Sequence, residues 1–262
     1  MPRFALTLAY DGNRFNGWQT QPGGQAAQDV LERALEAIAG HAVGTICAGR
    51  TDAGVHALRQ VVHFDSDAAR PLSAWVRGVN SHLPEGMAVR SATPVDDGFH
   101  ARYGALRRRY RYLLYRSAVR HPLLARRAGW TFRDPDVGRM RAAAALVVGE
   151  HDFSAFRSAE CQAASPVRRL EELSLEERGP LVVFTFTANA FLHHMIRNLM
   201  GALLAIGEGR HPPEWIAQLL AGRDRRHAPA TFAPDGLYLD GAQYDARYAL
   251  PSWGGGLPDC LA

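Results

Sequence analysis

The sequence predicts an α+β fold in two halves, because strand-like and helix-like apolar patterns follow one another along the chain. In the first hundred residues the order is strand, helix, strand, strand, helix, strand. The second half repeats this mixture less regularly, and the change falls near residues 101–107. A chain of 262 residues also fits two domains of about 130 residues. We therefore expect an N-terminal domain over 1–104 and a C-terminal domain over 105–262.

Alternation and helical spacing identify the elements of the first half. Apolar side chains at every second position of 4–10 predict a strand that ends at Asp11-Gly12. Residues 25–39 place their apolar side chains on one helical face, and Gly40 closes that helix. The other expected elements are strands at 43–48, 60–64 and 87–92, and a helix over 72–83 that ends before Pro84.

The second half contains three expected helices. The first covers 134–148 with Asp134-Pro135 as its cap and first turn, and the second is a long apolar helix over 191–206. A third follows at 213–220 after a proline. Strands are expected at 109–115, at 170–176 and 181–188 around a Gly179-Pro180 turn, and at 237–239.

The amino-acid composition excludes several kinds of reaction and of protein. All 30 basic residues are arginine, so reactions that need a lysine, such as Schiff-base formation, are excluded. The three cysteines are far apart and odd in number, which argues against disulfides. The longest apolar run is too short for a membrane span, and the N-terminus leads directly into a strand pattern rather than a signal peptide. A cytoplasmic protein is expected.

The basic residues are unevenly placed. Between Gly98 and Arg133 there are ten arginines and no acidic residue. Four tyrosines lie among them, at 103, 110, 112 and 115. Guanidinium groups pair with phosphate oxygens, and aromatic faces stack on unpaired bases, so this segment indicates binding of RNA or single-stranded nucleic acid. The alternative is a solvated basic surface without a partner.

Asp52 lies in the tightest turn of the sequence, between Gly49 and Gly54. A turn aspartate often does no more than bond its own backbone. Here the two glycines allow a sharp bend and leave room for a ligand. Arg50, two residues away, could keep the carboxylate ionised. An ionised and oriented carboxylate can act as a nucleophile or as a base.

The residues around Asp52 resemble a known signature. Residues 48–57, AGRTDAGVHA, are similar to the motif of the bacterial tRNA pseudouridine synthase A family. Further similar motifs follow in order along the chain: 10–12 (YDG), 17–19 (GWQ), 60–64 (QVVHF), 78–80 (GVN), 99–102 (FHAR), 108–112 (RRYRY), 151–153 (HDF) with 156–157 (FR), 189–198 (NAFLHHMIRN) and 236–239 (GLYL). The ordered set covers nearly the whole chain and is much more specific than any one motif.

The resemblance implies roles for four residues. Asp52 matches the family's catalytic aspartate, which we expect to be the nucleophile, and Arg50 matches an active-site arginine. Tyr110 matches the tyrosine that packs against the target base. Arg197 matches an arginine that pairs with the aspartate. The sequence leaves open whether the carboxylate acts on the sugar, on the base or on a sugar proton.

The resemblance also implies an overall arrangement and an activity. The family has two α/β halves whose mainly antiparallel sheets join into one continuous sheet, with the active-site cleft between the halves. It isomerises uridine to pseudouridine at positions 38, 39 and 40 in the anticodon stem-loop of tRNA. It forms a homodimer and uses no cofactor.

Two further expectations concern ligands. Arg107, Arg108, Arg109 and Arg111 are candidates for contacts with the RNA backbone. No metal site is expected, since His193 and His194 would point about 100° apart on a helix.

Two rival functions remain. A non-catalytic RNA-binding protein would use the same basic segment, but it gains nothing from a carboxylate near phosphates. A small-molecule enzyme would not need the unopposed arginines.

Overall fold

The computed structural model describes residues 1–251 and 253, and these residues form a mixed α/β structure. The strands are β1 (Arg3–Tyr10), β2 (Ile46–Cys47), β3 (His56–Asp65), β4 (Met87–Val95), β5 (Arg107–Arg116), β6 (Gly129–Thr131), β7 (Gly149–Asp152), β8 (Val167–Arg178), β9 (Leu181–Ala188) and β10 (Leu237–Gln243). The helices are α1 (Ala27–Ala39), α2 (Val79–His82), α3 (Val137–Ala145), α4 (Met195–Gly207) and α5 (Trp215–Gly222). A π-helical turn, Ala74–Gly78, leads into α2.

The ten strands belong to one sheet, in the order β4-β1-β3-β10-β5-β9-β8-β7, with β2 added to β3 and β6 to β5. The pairs β1–β3, β1–β4, β7–β8 and β8–β9 are antiparallel, whereas β5 and β6 run parallel. The predicted α+β class with a mainly antiparallel, continuous sheet is therefore confirmed. The cleft between the halves stays a prediction.

Two compact units divide the chain. Unit 1 comprises Met1–Arg109 and the described residues from Leu239 onward, and unit 2 comprises Tyr110–Tyr238. The division differs from the expected halves 1–104 and 105–262, because β10 returns to lie beside β3. A sequence pattern identifies a strand, but it does not say with which distant strand it pairs.

In unit 1, the first strand and the first helix follow the predicted patterns closely. β1 lies between β3 and β4, and both of its faces are covered, so Ala5, Leu6 and Leu8 are all buried. In α1 the apolar face is buried, and the helix ends at Gly40, which has φ +79°. Glycine adopts this left-handed conformation at little cost.

Several boundaries differ from the predictions. The long helix α4 begins at Met195 rather than at 191. The preceding residue, His194, has φ +63°, which a helix cannot include. The cap of α3 is Asp136, whose side chain accepts from the Arg139 N–H, and not Asp134. Both errors arise because helical spacing continues into residues whose backbone turns away.

The short strands were also predicted imperfectly. The strand expected at 43–48 is reduced to β2, two residues long. Strands β6 and β7, of three and four residues, were not predicted, since so few residues show no alternation. Within residues 1–251 and 253, no helix has both the length and the apolar character that a membrane span requires. Cys260 and the Gly254–Gly256 run lie outside the described residues.

Candidate active site

Asp52 lies on the loop that joins β2 to β3 in unit 1. Asp52 is half-buried, so the residue is not sealed in the interior. The loop turns tightly here: the Val55 N–H donates to the Asp52 carbonyl at 3.1 Å, and Gly54 between them has φ +82°. The neighbouring Arg50 is exposed on the same loop. A carboxylate in this position can attack a substrate atom or accept a proton.

Hydrogen bonds to buried residues of unit 1 hold the loop in place. The backbone N–H of Trp18 donates to the Thr51 carbonyl at 2.9 Å, and the Thr51 hydroxyl is 2.8 Å from the Tyr10 hydroxyl. The amide of Gln60, which is fully buried on β3, donates to the Gly49 carbonyl at 2.7 Å. Hydrogen bonds on both sides of Asp52 therefore fix the backbone that carries it, as a preorganised site requires.

Two glycines allow the loop to approach β1 and the segment that follows it. A Cβ atom on Gly12 would lie 2.1 Å from the Val55 carbonyl oxygen. A Cβ atom on Gly17, which has φ +79°, would lie 3.0 Å from the Thr51 carbonyl oxygen. Glycine is therefore required in the motifs 10–12 and 17–19 because the Asp52 loop leaves no room for a Cβ atom there.

Cys47 is the one thiol within five residues of Asp52 in the sequence. Burial raises the pKa of its side chain to about 12, against the opposing effect of the Arg50 charge. The thiol therefore stays protonated at neutral pH and is a poor nucleophile. This leaves Asp52 as the better candidate for chemistry on this loop.

The four arginines suggested for RNA contacts have different environments. Arg107 is exposed, whereas Arg111 is buried, with 5% of its surface accessible. Arg109 donates to Asp240, a fully buried carboxylate on β10 that also binds Arg59 at 2.9 Å. Their role in RNA binding stays a prediction, and the exposure favours Arg107.

Arg108 contacts the beginning of the loop that carries Asp52. Its Nε and Nη2 atoms donate to the Ala48 carbonyl at 3.2 and 3.1 Å, and Nη1 donates to the Ala105 carbonyl at 3.2 Å. Nη2 also donates to the Arg102 carbonyl. Sequence reasoning missed this supporting role, because a basic run predicts a charged surface and says nothing about which carbonyl groups lie beside it.

In unit 2, Tyr110 lies near the beginning of β5, where it is 7% exposed. Its ring meets Phe191 edge to face, with centroids 5.1 Å apart and planes at 82°. Such a contact fixes the orientation of the ring. The arrangement is compatible with the predicted role of Tyr110 against a base.

Arg197 lies in the first turn of α4, also in unit 2. Its Nε atom donates to the Phe232 carbonyl at 2.9 Å, and the Phe232 N–H donates to the Arg197 carbonyl at 3.1 Å. The Phe232 ring packs against Tyr112, and the Tyr112 hydroxyl donates to the Ala233 carbonyl. The segment around Phe232 thus positions Arg197, a connection that the sequence did not reveal.

The argument against a shared ligand at His193 and His194 assumed helical geometry, and that assumption was wrong. Both residues precede α4, and their ring centroids lie 4.0 Å apart at 40°. The His193 carbonyl accepts from Ser158 at 3.0 Å, and the His194 carbonyl accepts from Asn198 at 2.9 Å. The two rings therefore lie side by side rather than pointing about 100° apart.

Comparison with known proteins identifies the family. A model of the family described as tRNA pseudouridine synthase matches residues 7–104 and 143–245. Relatives called tRNA pseudouridine synthase A include one from Bordetella petrii, 58% identical over 95% of this chain and 94% of the relative. Others are from Methylibium petroleiphilum (56%, 95% of this chain and 96% of the relative) and Paraburkholderia xenovorans (54%, 96% and 93%). A solved structure described as a Cbf5-Nop10-Gar1 complex aligns at TM-score 0.37 and 13% identity, over 77% of this chain and 45% of that one.

The class of protein follows from the matches in both units: it is an RNA-modifying isomerase. The chain belongs to the tRNA pseudouridine synthase family, which isomerises uridine to pseudouridine in tRNA.

Proposed function

We propose that this enzyme acts on uridines 38, 39 and 40 of the anticodon stem-loop, with Asp52 as its catalytic nucleophile. The observation that carries the proposal is the half-buried Asp52 on a loop that Trp18, Tyr10 and Gln60 hold in place. Arg50, Arg197 and Tyr110 support the reaction in the roles that their motifs imply. A carboxylate on a rigid loop can meet a reactive atom at a reproducible distance.

The reaction needs little beyond such a group. The glycosidic C–N bond of uridine breaks, the uracil turns, and a C–C bond forms to the same sugar carbon. The uracil carbon that forms this bond, C5, loses its proton, and the base nitrogen that left the sugar gains a proton. Atoms and electrons balance within the nucleoside, so we propose that no cofactor takes part.

The target uridine must leave its helix before it can reach Asp52. Extrusion of a base costs a few kcal/mol. Cationic contacts with the backbone and stacking on Tyr110 offset this cost. We assign the phosphate contacts first to Arg107, which is exposed. A homodimer in the cytoplasm completes the proposal.

The decisive experiment maps pseudouridine by mass spectrometry in tRNA treated with wild-type protein or with Asp52→Asn. We expect pseudouridine at 38, 39 and 40 with wild type and none with the variant, because the amide is neither nucleophilic nor basic. Tritium release from uracil C5 should fall to background, while tRNA binding is retained. Asp97→Asn, which changes an exposed aspartate elsewhere in unit 1, is the matched control.

Substantial turnover by Asp52→Asn would contradict the catalytic assignment. Pseudouridine at positions outside 38–40 would overturn the proposed target while leaving the family reaction intact.

A further inference from the structure

We propose that an aromatic platform on unit 2, formed by Trp130 and Phe132 with Arg120 and Arg133, binds an unpaired nucleotide of the tRNA other than the target uridine. This inference rests on the proposed function for the identity of the RNA. The platform belongs to the segment that follows β5, and the motifs of the family resemblance do not include it.

The two rings lie at the end of β6. Trp130 is in the strand, between the buried residues Gly129 and Thr131, and Phe132 directly follows the last residue of the strand. Their ring centroids are 6.1 Å apart at 49°. The Trp130 indole N–H donates to the Ser117 carbonyl at 2.9 Å, which fixes that ring. Phe132 is 61% exposed.

Guanidinium groups accompany both rings. The Arg120 Cζ atom lies 4.6 Å from the centroid of Trp130, and the Arg133 Cζ atom lies 5.4 Å from that of Phe132. Residues 117–133 contain no acidic side chain. Glu208 contacts both Arg133 and Arg210, so one carboxylate faces two cations there. An exposed ring beside a half-buried one, with two guanidinium groups over them, matches an unstacked base and its phosphate.

The platform is too far from Tyr110 to contact the same base. Trp130 is in register with Tyr115, five residues beyond Tyr110 along β5. At about 3.3 Å per residue the two sites are separated by about 17 Å along the strand. A base that packs against Tyr110 cannot reach across that distance. A second nucleotide of the same tRNA is therefore the occupant that fits.

A second copy of this chain is a poorer occupant. Exposed apolar side chains at Val119 and Leu123 lie in the same segment. In a two-fold contact, however, a patch faces itself, which would bring this basic segment against its own copy. The repulsion between like charges disfavours that arrangement, whereas phosphates are complementary to it.

The test compares Phe132→Ala, Phe132→Leu and Phe132→Trp on intact tRNA and on the isolated anticodon stem-loop. Loss of one base–aromatic contact should weaken tRNA binding about fivefold or more in the Ala and Leu variants. Phe132→Trp should retain binding, since a flat ring remains. kcat at saturating tRNA should be unchanged. The matched control is Leu123→Ala, which removes an 80%-exposed apolar side chain from the same segment.

The two substrates locate the nucleotide. Weakening with intact tRNA alone assigns it outside the stem-loop, and weakening with both assigns it to the loop. The proposal is overturned if the Ala variant binds both RNAs normally, if Phe132→Trp loses as much affinity as Phe132→Ala, or if sedimentation shows that the Ala variant dissociates a dimer. Because binding is measured separately from turnover, failure of the Asp52 assignment would not be mistaken for failure of the platform.

Discussion

At the scale of single residues, two adjacent arginines illustrate different uses of the same side chain. Arg107 is exposed at the beginning of β5, while Arg108 donates to carbonyl groups of unit 1, including that of Ala48 at the base of the Asp52 loop. A planar guanidinium can bind two carbonyl groups at once, which a lysine ammonium does less specifically. The first residue is suited to phosphates and the second to holding the loop.

Substitution separates these uses. Arg107→Gln should lower the slope of log affinity against log salt by somewhat less than 1 and raise KM, with kcat unchanged. Arg108→Gln should lower kcat about tenfold or more, because a small displacement of a reactive group is costly, and should leave the salt slope unchanged. Binding titrations at several salt concentrations and single-turnover rates measure both effects. An unchanged kcat in Arg108→Gln would show that its contacts do not position the loop.

At the scale of elements, the close contact between Gly12 and the Asp52 loop makes a specific prediction. Gly12→Ala should lower both kcat and thermal stability, since a methyl group would meet the Val55 carbonyl oxygen at 2.1 Å and displace the loop. Overpacking of this kind costs about 1–3 kcal/mol. Gly44→Ala is the matched control, because a Cβ atom there meets nothing within 4 Å. Equal activity of the two variants would refute the packing argument.

The helices and strands also differ in how well the sequence predicts them. Long elements such as α1 and β9 were predicted because many residues share one period. The Asp52 turn was predicted because Gly49 and Gly54 bracket it. The beginning of α4 was missed, since the left-handed His194 leaves no trace in the apolar pattern. The bonds of Arg108 and Arg197 to distant carbonyl groups depend on tertiary contacts, which periodicity does not encode.

At the scale of the whole molecule, a buried histidine makes folding sensitive to acid. His63 on β3 is 3% exposed, and its Nδ1 atom accepts from the Ala101 N–H at 3.1 Å. Burial, together with the charges of Arg3 and His100, lowers the pKa of His63 to about 4, while Asp65 opposes the shift. The folded chain therefore keeps this imidazole neutral over a range in which the unfolded chain would protonate it.

Because the two states differ in the pKa of His63, the free energy of unfolding depends on pH. Above the ordinary pKa of 6.5, both states are neutral and His63 contributes no pH dependence. As the pH falls from 6.5 towards 4, His63 binds a proton in the unfolded state but not in the folded state. The free energy of unfolding therefore falls by at most ~1.4 kcal/mol per pH unit.

The variant His63→Asn keeps an acceptor for Ala101 and cannot titrate. In urea titrations it should lose less stability than wild type between pH 7.5 and 5, whereas the exposed-site control His82→Asn should behave as wild type. Equal losses in wild type and His63→Asn would exclude this residue as the source of acid sensitivity.

The return of β10 to unit 1 also has a consequence during synthesis. β10 lies between β3 and β5 in the sheet, and its Asp240 binds Arg59 of β3, yet its synthesis is complete only 178 residues after β3 ends. At about 5–20 residues per second, the ribosome needs roughly ten to forty seconds to cover that distance. Throughout that interval the nascent chain displays the backbone N–H and C=O groups of β3 that β10 will later pair. The translation rate of the second half therefore sets how long the emerging polypeptide offers an open strand to intermolecular association.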